Sequence, residues 1–180
     1  MMNFMKDNRQ IIGILAIITL FGVYSNTANA LERTSIETQV DPVATKVALS
    51  VSRDKLIKKY ENAISLTDLE LKQLLELVGF RGKDLKEAWA VAKKESNGRP
   101  LAFNGDKTTG DKSYGIFQIN MIGDLGPARR DKFELDTNAD LFNPVKNAEI
   151  AYHMSDGGKD WSSWKGITPK TQEWISKFPA

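Results

Sequence analysis

Glu95 is the residue whose position most suggests chemistry. From Lys83 or Asp84 onward, Leu85, Ala88, Trp89, Val91, Ala92 and Glu95 share one broad helical stripe, while Lys83, Lys86, Glu87, Lys93 and Lys94 fall on the other side. A carboxylate therefore continues an apolar face. It also lies in the last turn before Asn97-Gly98-Arg99-Pro100 stops the helix, where the negative end of the helix dipole disfavours an anion by about 0.3–1 kcal/mol. Partial burial and a helix carboxyl end both favour the protonated form of a carboxyl group, which a general acid working near neutral pH requires. The pattern alone leaves a second reading open, in which Glu95 pairs with a basic neighbour or turns to solvent.

Few other chemistries are open to this chain. It has no cysteine and one histidine, His153, which excludes zinc sites built from His and Cys pairs, excludes Cys nucleophiles and leaves one candidate for a Ser-His-Asp triad. Carboxylates remain as the groups able to do acid–base work. Asp106 and Asp111 lie in a polar excursion framed by the turn dipeptides Asn104-Gly105 and Thr109-Gly110. Either one of them crosses a cleft as a base holding water, or both are ordinary turn aspartates. The alternating acids and terminal Glu of a calcium loop are missing, so no metal and no organic cofactor is expected. The chain has 180 residues, 25 basic and 23 acidic, with a net charge of +2, which makes no electrostatic case for a nucleic-acid partner.

The elements that must position these groups can be read outward from Glu95. Thr67-Asp68-Leu69-Glu70 predicts a capping box, followed by Leu71, Leu74, Leu75 and Val78 at helical spacing until Gly79. Asn143-Pro144 predicts an N-cap with proline at the first helical position, and Val145, Ala148 and Tyr152 form a stripe until Asp156-Gly157-Gly158. A charged helix is expected over Arg53–Ile64, and Thr168-Pro169 opens a last helix carrying Trp174, Ile175 and Phe178. Trp161 and Trp164, three apart, either pack in the core or offer flat stacking surfaces to a ligand, and His153 reads as a surface or hydrogen-bonded structural residue.

Residues 1–30 differ in composition from the rest. Lys6 and Arg9 precede an uncharged run from Ile11 to Val23, and Ala28-Asn29-Ala30 follows, the three parts of a secretory signal. The expected organisation is a signal at 1–30, a tether or poorly ordered arm at 31–52, and one domain at 53–180. The body is expected to be exported to the periplasm, cell wall or extracellular space, touching a membrane only through the signal if that is left uncleaved.

The strings Ala88-Trp89-Ala90-Val91-Ala92-Lys93-Lys94-Glu95-Ser96, Asn104-Gly105-Asp106, Ser113-Tyr114-Gly115-Ile116-Phe117-Gln118-Ile119-Asn120 and Asn147-Ala148-Glu149-Ile150-Ala151-Tyr152 together resemble the lysozyme-like domain of soluble lytic transglycosylases, above all the versions in bacteriophage tail and cell-wall-degrading proteins. The resemblance runs from about Leu66 to Trp164. It implies a mainly α, α+β lysozyme-like fold, with a small β-hairpin or loop forming one wall of a glycan-binding cleft. It also implies that Glu95 is the catalytic acid, that Gln118 and Asn120 contact sugar, that Tyr152 sits close to Glu95 and helps orient it or the substrate, where its place on the stripe with Val145 and Ala148 reads equally as core, and that Ser113 is the small polar residue before the groove strand. Ile116 stands where the family more often has Leu or Met.

The activity so implied is cleavage of the bond between N-acetylmuramic acid and N-acetylglucosamine in peptidoglycan glycan strands. In the resembled family no second carboxylate is needed, because the sugar's own 6-hydroxyl closes onto the anomeric carbon and leaves a 1,6-anhydro end. Goose-type lysozymes share a related fold and add loop aspartates, so a hydrolase using Asp106 or Asp111 is the alternative. A wall-binding or structural protein that keeps the cleft without turnover is another.

Overall fold

The computed structural model describes residues 41–106, 108 and 110–179. The expected signal at 1–30, and residues 31–40 of the expected arm, lie outside them. The described chain is mainly helical with one small sheet: α1 Pro42–Tyr60, α2 Asp68–Val78, α3 Gly82–Ser96, α4 Leu125–Phe133, α5 Pro144–Met154 and α6 Pro169–Ile175, with short 3-10 turns at Asn138–Phe142, Asp156–Gly158 and Ser162–Trp164. Among the described residues no helix is long and apolar enough to cross a membrane.

The helix ends follow from local chemistry. Thr67 accepts from the Glu70 N–H while the Glu70 carboxylate accepts from the Thr67 N–H, and α2 stops at Gly79, whose φ of +131° suits glycine. The Asn143 side chain accepts from the N–H groups of Val145 and Lys146 at the head of α5, and Thr168 caps α6. α1 departs from expectation by starting at Pro42 rather than near Arg53. The described side chains of its first half are exposed, so no buried stripe marks it in the sequence; an Asp41 N-cap and a proline in the first turn start it instead. Its end is anchored by the buried Tyr60, whose hydroxyl donates to Gln73 at 2.7 Å.

The core gathers around α3. Ala88, Trp89, Ala90, Val91 and Ala92 are all fully buried, which one amphipathic stripe would not allow, so α3 is a central helix covered on several sides. Lys93, expected on its outer face, is buried as well. Leu71, Leu74 and Leu75 of α2 pack there together with Phe80, Phe117 and Leu141, each such side chain contributing roughly 1.5–3 kcal/mol. From the carboxyl-terminal side, Trp174 and Phe178 meet Trp89 edge-on at centroid distances of 6.1 and 5.8 Å.

The sheet has three two-residue strands in the order β1 Phe103–Asn104, β2 Ser113–Tyr114, β3 Ile119–Asn120, all antiparallel. Phe103 pairs with Tyr114 and Asn104 with Ser113, while Ser113 also faces Asn120. Strands this short do not hold themselves together. What fixes them comes from the helices.

Candidate active site

The last turn of α3 puts Glu95 at the junction between helix and sheet. Its side chain is 24% exposed, and one carboxylate oxygen lies 2.9 Å from the Lys94 ammonium. Lys94 in turn donates to the backbone carbonyl of Trp164 at 2.8 Å. The carboxylate therefore pairs with a basic neighbour that is itself seated on a distant segment. Asn97 ends the helix in the left-handed region at φ +58°, followed by Gly98 at +72°, so the chain leaves at once and Glu95 is not covered by a further turn.

Ser96 fastens the sheet to this helix end. Its hydroxyl donates to the Ile116 carbonyl at 2.6 Å and accepts the Arg99 N–H at 3.2 Å. The turn so held, Gly115–Gln118, is clamped from two more directions. Asn147 of α5 is fully buried; it accepts the Phe117 N–H at 2.9 Å and donates to the carbonyls of Tyr114 and Leu141 at 3.0 and 2.9 Å. Trp164 donates its indole N–H to the Phe117 carbonyl at 2.7 Å. Gly115 sits at φ +74°, and a Cβ there would come within 2.3 Å of both Asn147 Nδ2 and the Leu141 carbonyl, so no side chain fits.

The other expected site residues divide. Gln118 belongs to the clamped turn at φ +49° and spends its amide N–H groups on the carbonyls of Ala102 and Gly115 at 3.2 and 3.0 Å. Asn120 accepts the Ile122 N–H on its side chain at 2.8 Å and an Arg129 N–H on its carbonyl. Ser113 is buried and donates to Asp111 at 2.7 Å, while the other Asp111 oxygen accepts from Asn104 at 2.8 Å. Asp106 accepts the N–H and hydroxyl of Thr108 at 2.8 and 2.6 Å. Both aspartates thus make the local hydrogen bonds of the β1–β2 connection.

Tyr152 is not brought to Glu95. Its ring packs edge-on against Phe80 at 4.9 Å and fills the space that Gly79 and Gly157 leave open. Those contacts are at the amino-terminal entrance of α3, thirteen residues and about 20 Å of helix from Glu95. The tyrosine follows the apolar stripe of α5, which faces the α2–α3 corner. Trp161 and Trp164 are buried core residues, Trp161 stacked between Phe80 and Phe117 at 6.1 and 6.2 Å. His153 is exposed, with its ring edge-on to Phe133. Among the described residues no three His, Asp or Glu side chains converge as metal ligands.

Three residues at this site, Lys94, Asn147 and Trp164, were given no positioning role by the sequence pattern. Asn147 left a trace: it is a polar side chain between Val145 and Ala148 in a helix otherwise read as packing on that face.

A family model described as a lysozyme-like domain matches residues 72–166, a span that holds Glu95, the clamped turn, Asn147 and Trp164. The chain is also similar to an acetyl esterase of Caldicellulosiruptor saccharolyticus, 40% identical over 50 residues, which is 27% of this chain and 19% of that protein; the match thus covers about a fifth of the relative's length. No solved structure matches.

Proposed function

The chain belongs to the lysozyme-like domain family, and from that premise we propose that it is a peptidoglycan lytic transglycosylase with Glu95 as its general acid and base. Peptidoglycan cleavage in general goes with family membership; the reaction type and the residue roles are our inference. The observation that carries it is the placement of Glu95, a quarter-exposed carboxylate in the last turn of α3, directly before the Ser96 that fastens the clamped turn.

In this mechanism the protonated Glu95 gives its proton to the oxygen linking muramic acid to glucosamine. The bond from that oxygen to the anomeric carbon breaks, and the glucosamine hydroxyl leaves. The 2-acetamido carbonyl oxygen supports the positive charge on the anomeric carbon, a substrate-assisted route that needs no second carboxylate. The Glu95 carboxylate then takes the proton of the 6-hydroxyl as its oxygen attacks the anomeric carbon, which closes the 1,6-anhydro ring and restores the acid. Lys94 steadies the negative charge on Glu95 between the two proton transfers. The hydrogen bonds of Asp106 and Asp111 within their own loop support this route over a hydrolase that would need one of them to hold water.

The leader at 1–30, cleaved after Ala30, is part of the proposal and would deliver the domain to the wall. The test is mass spectrometry of fragments released from purified sacculi by the protein and by its Glu95→Gln variant. Anhydromuramyl ends that disappear in the variant are expected. Reducing ends would point to the hydrolase, and equal wall binding without release by either protein would point to a binding role.

A further inference from the structure

Away from Glu95, which lines neither of its cavities, lies a basic recess that the cleavage mechanism does not use. Two cavities of about 310 and 300 Å³ share Lys132, Phe133 and His153, where the end of α4 meets α5. Lys146 and Glu149 border the first, and Arg129, Met154 and Ser163 the second. Three cations thus face one carboxylate. Lys146 acts electrostatically on Asp140, but neither Arg129 nor Lys132 takes part in any ion pair among the described residues.

Arg129 is the informative member. It is partly buried, and burial pushes its guanidinium below the ordinary value. Its hydrogen-bond partner is a neutral one, the Asn120 carbonyl. A guanidinium has five N–H donors in a planar fork, so most of this group's capacity remains after that bond. A partly desolvated cation without a counter-ion is costly unless an anion supplies the missing partner.

The recess is linked to Glu95 through one segment of chain. Arg129 is bonded to β3 at Asn120, and Ser163 directly precedes Trp164, whose carbonyl seats Lys94 against Glu95. A glycan strand lying over Glu95 carries a lactyl ether on each muramic acid, and from it a short peptide projects sideways with free carboxylates. We propose that the Arg129–Lys132 recess binds a carboxylate of that peptide stem, with Phe133 and Met154 taking its alkyl groups. The inference rests on the peptidoglycan reading above, and it makes the protein a reader of stem charge as well as a cutter of glycan. The planar fork of Arg129 matches a carboxylate in two-point contact, and the apolar floor suits a peptide better than a bare ion.

The probe is N-acetylmuramyl-L-alanyl-D-glutamate, titrated into the protein by calorimetry and followed by backbone amide shifts. Expected are shifts at Phe133 and His153, affinity that falls about tenfold when both glutamate carboxyls are amidated, and a similar fall in Lys132→Glu. Lys132 is exposed, so that variant should fold normally; Arg129→Gln, checked by its unfolding midpoint, is the second variant. Equal binding of the amidated ligand, or binding indifferent to both substitutions, would overturn the proposal. A polyglycerol phosphate that occupies the recess while the muramyl peptide does not would overturn it in favour of a wall phosphate. Sacculus release measured in parallel separates the two readings: release without carboxylate-dependent binding removes only this inference, and carboxylate-dependent binding without release removes only the catalytic one.

Discussion

Lys93 and Lys94 are neighbours in the last turn of α3, yet their ammonium groups lie in different regions. Lys93 is buried; it reaches Asp68 at 2.8 Å and lies 5.0 and 5.7 Å from the ring centres of Trp174 and Trp89. Trp89 donates its indole N–H to the Asp68 carbonyl at 3.1 Å, so the cation sits within a cluster that ties the head of α2 to α3 and α6. Lys94 faces a carbonyl and a carboxylate, with Glu95 still open to solvent on one side. The first charge is spent on holding helices together. The second leaves a carboxylate a quarter exposed, which the proposed reaction requires.

The largest expected effect separates the two regions cleanly. Glu95→Gln should lower release from sacculi by about 10²–10⁴-fold while leaving the denaturant midpoint unchanged, and a large stability change would break the division. Next comes Asn147→Ala, which strands the Phe117 N–H and two carbonyls; at about 1–3 kcal/mol for each stranded buried group, a loss of about 3 kcal/mol or more is expected in urea unfolding. Turnover should fall with it, because the clamped turn belongs to the working region.

Lys93→Ala should cost about 1–2 kcal/mol through lost cation–π contact and packing, with the folded fraction cutting at the normal rate. Lys94→Met is the mirror image: turnover down by about tenfold, equivalent to about 1.4 kcal/mol in the barrier, KM little changed, and stability nearly untouched. Were the two lysines to give the same pattern, the comparison would fail. The smallest effect belongs to the α2 cap. Glu70 is held at about 2, below its ordinary 4.5, by the Thr67 N–H, the Lys59 ammonium and the Thr67 hydroxyl. A lowered carboxyl value contributes stability that is full above pH 4.5 and lost as pH falls towards 2. Glu70→Gln should therefore unfold more readily than the parent near pH 6, with the difference shrinking across that window; its size is limited by solvent screening.

What was legible in the sequence is what local chemistry decides. The capping box at Thr67 and Glu70, the Asn143-Pro144 start of α5, the Thr168 cap and the stop at Gly79 depend on residues within a few positions of one another, and all stand where the spacing puts them. The small sheet after the Glu95 helix was legible from its turn dipeptides and the family resemblance. What depended on partners far along the chain was not. A helical wheel places Lys93 outside because it cannot know that α6 brings Trp174 to that side. Tyr152 was placed beside Glu95 by a motif match, while the space left by Gly79 and Gly157 takes its ring elsewhere. Arg129 lies in α4, a helix with little buried surface of its own, and its importance depends on a bond to Asn120 that no pattern announces.

The seat of Lys94 on the Trp164 carbonyl bears on how the protein is made. Ribosomes deliver Glu95 and the whole 113–120 segment well before residue 164, but a chain halted there lacks both the carbonyl that holds Lys94 and the indole that caps Phe117. An unfinished or truncated copy thus carries the acid without the frame around it. In the proposed reading, the order of synthesis therefore sets a condition on activity: the frame around Glu95 closes only after residue 164 has emerged.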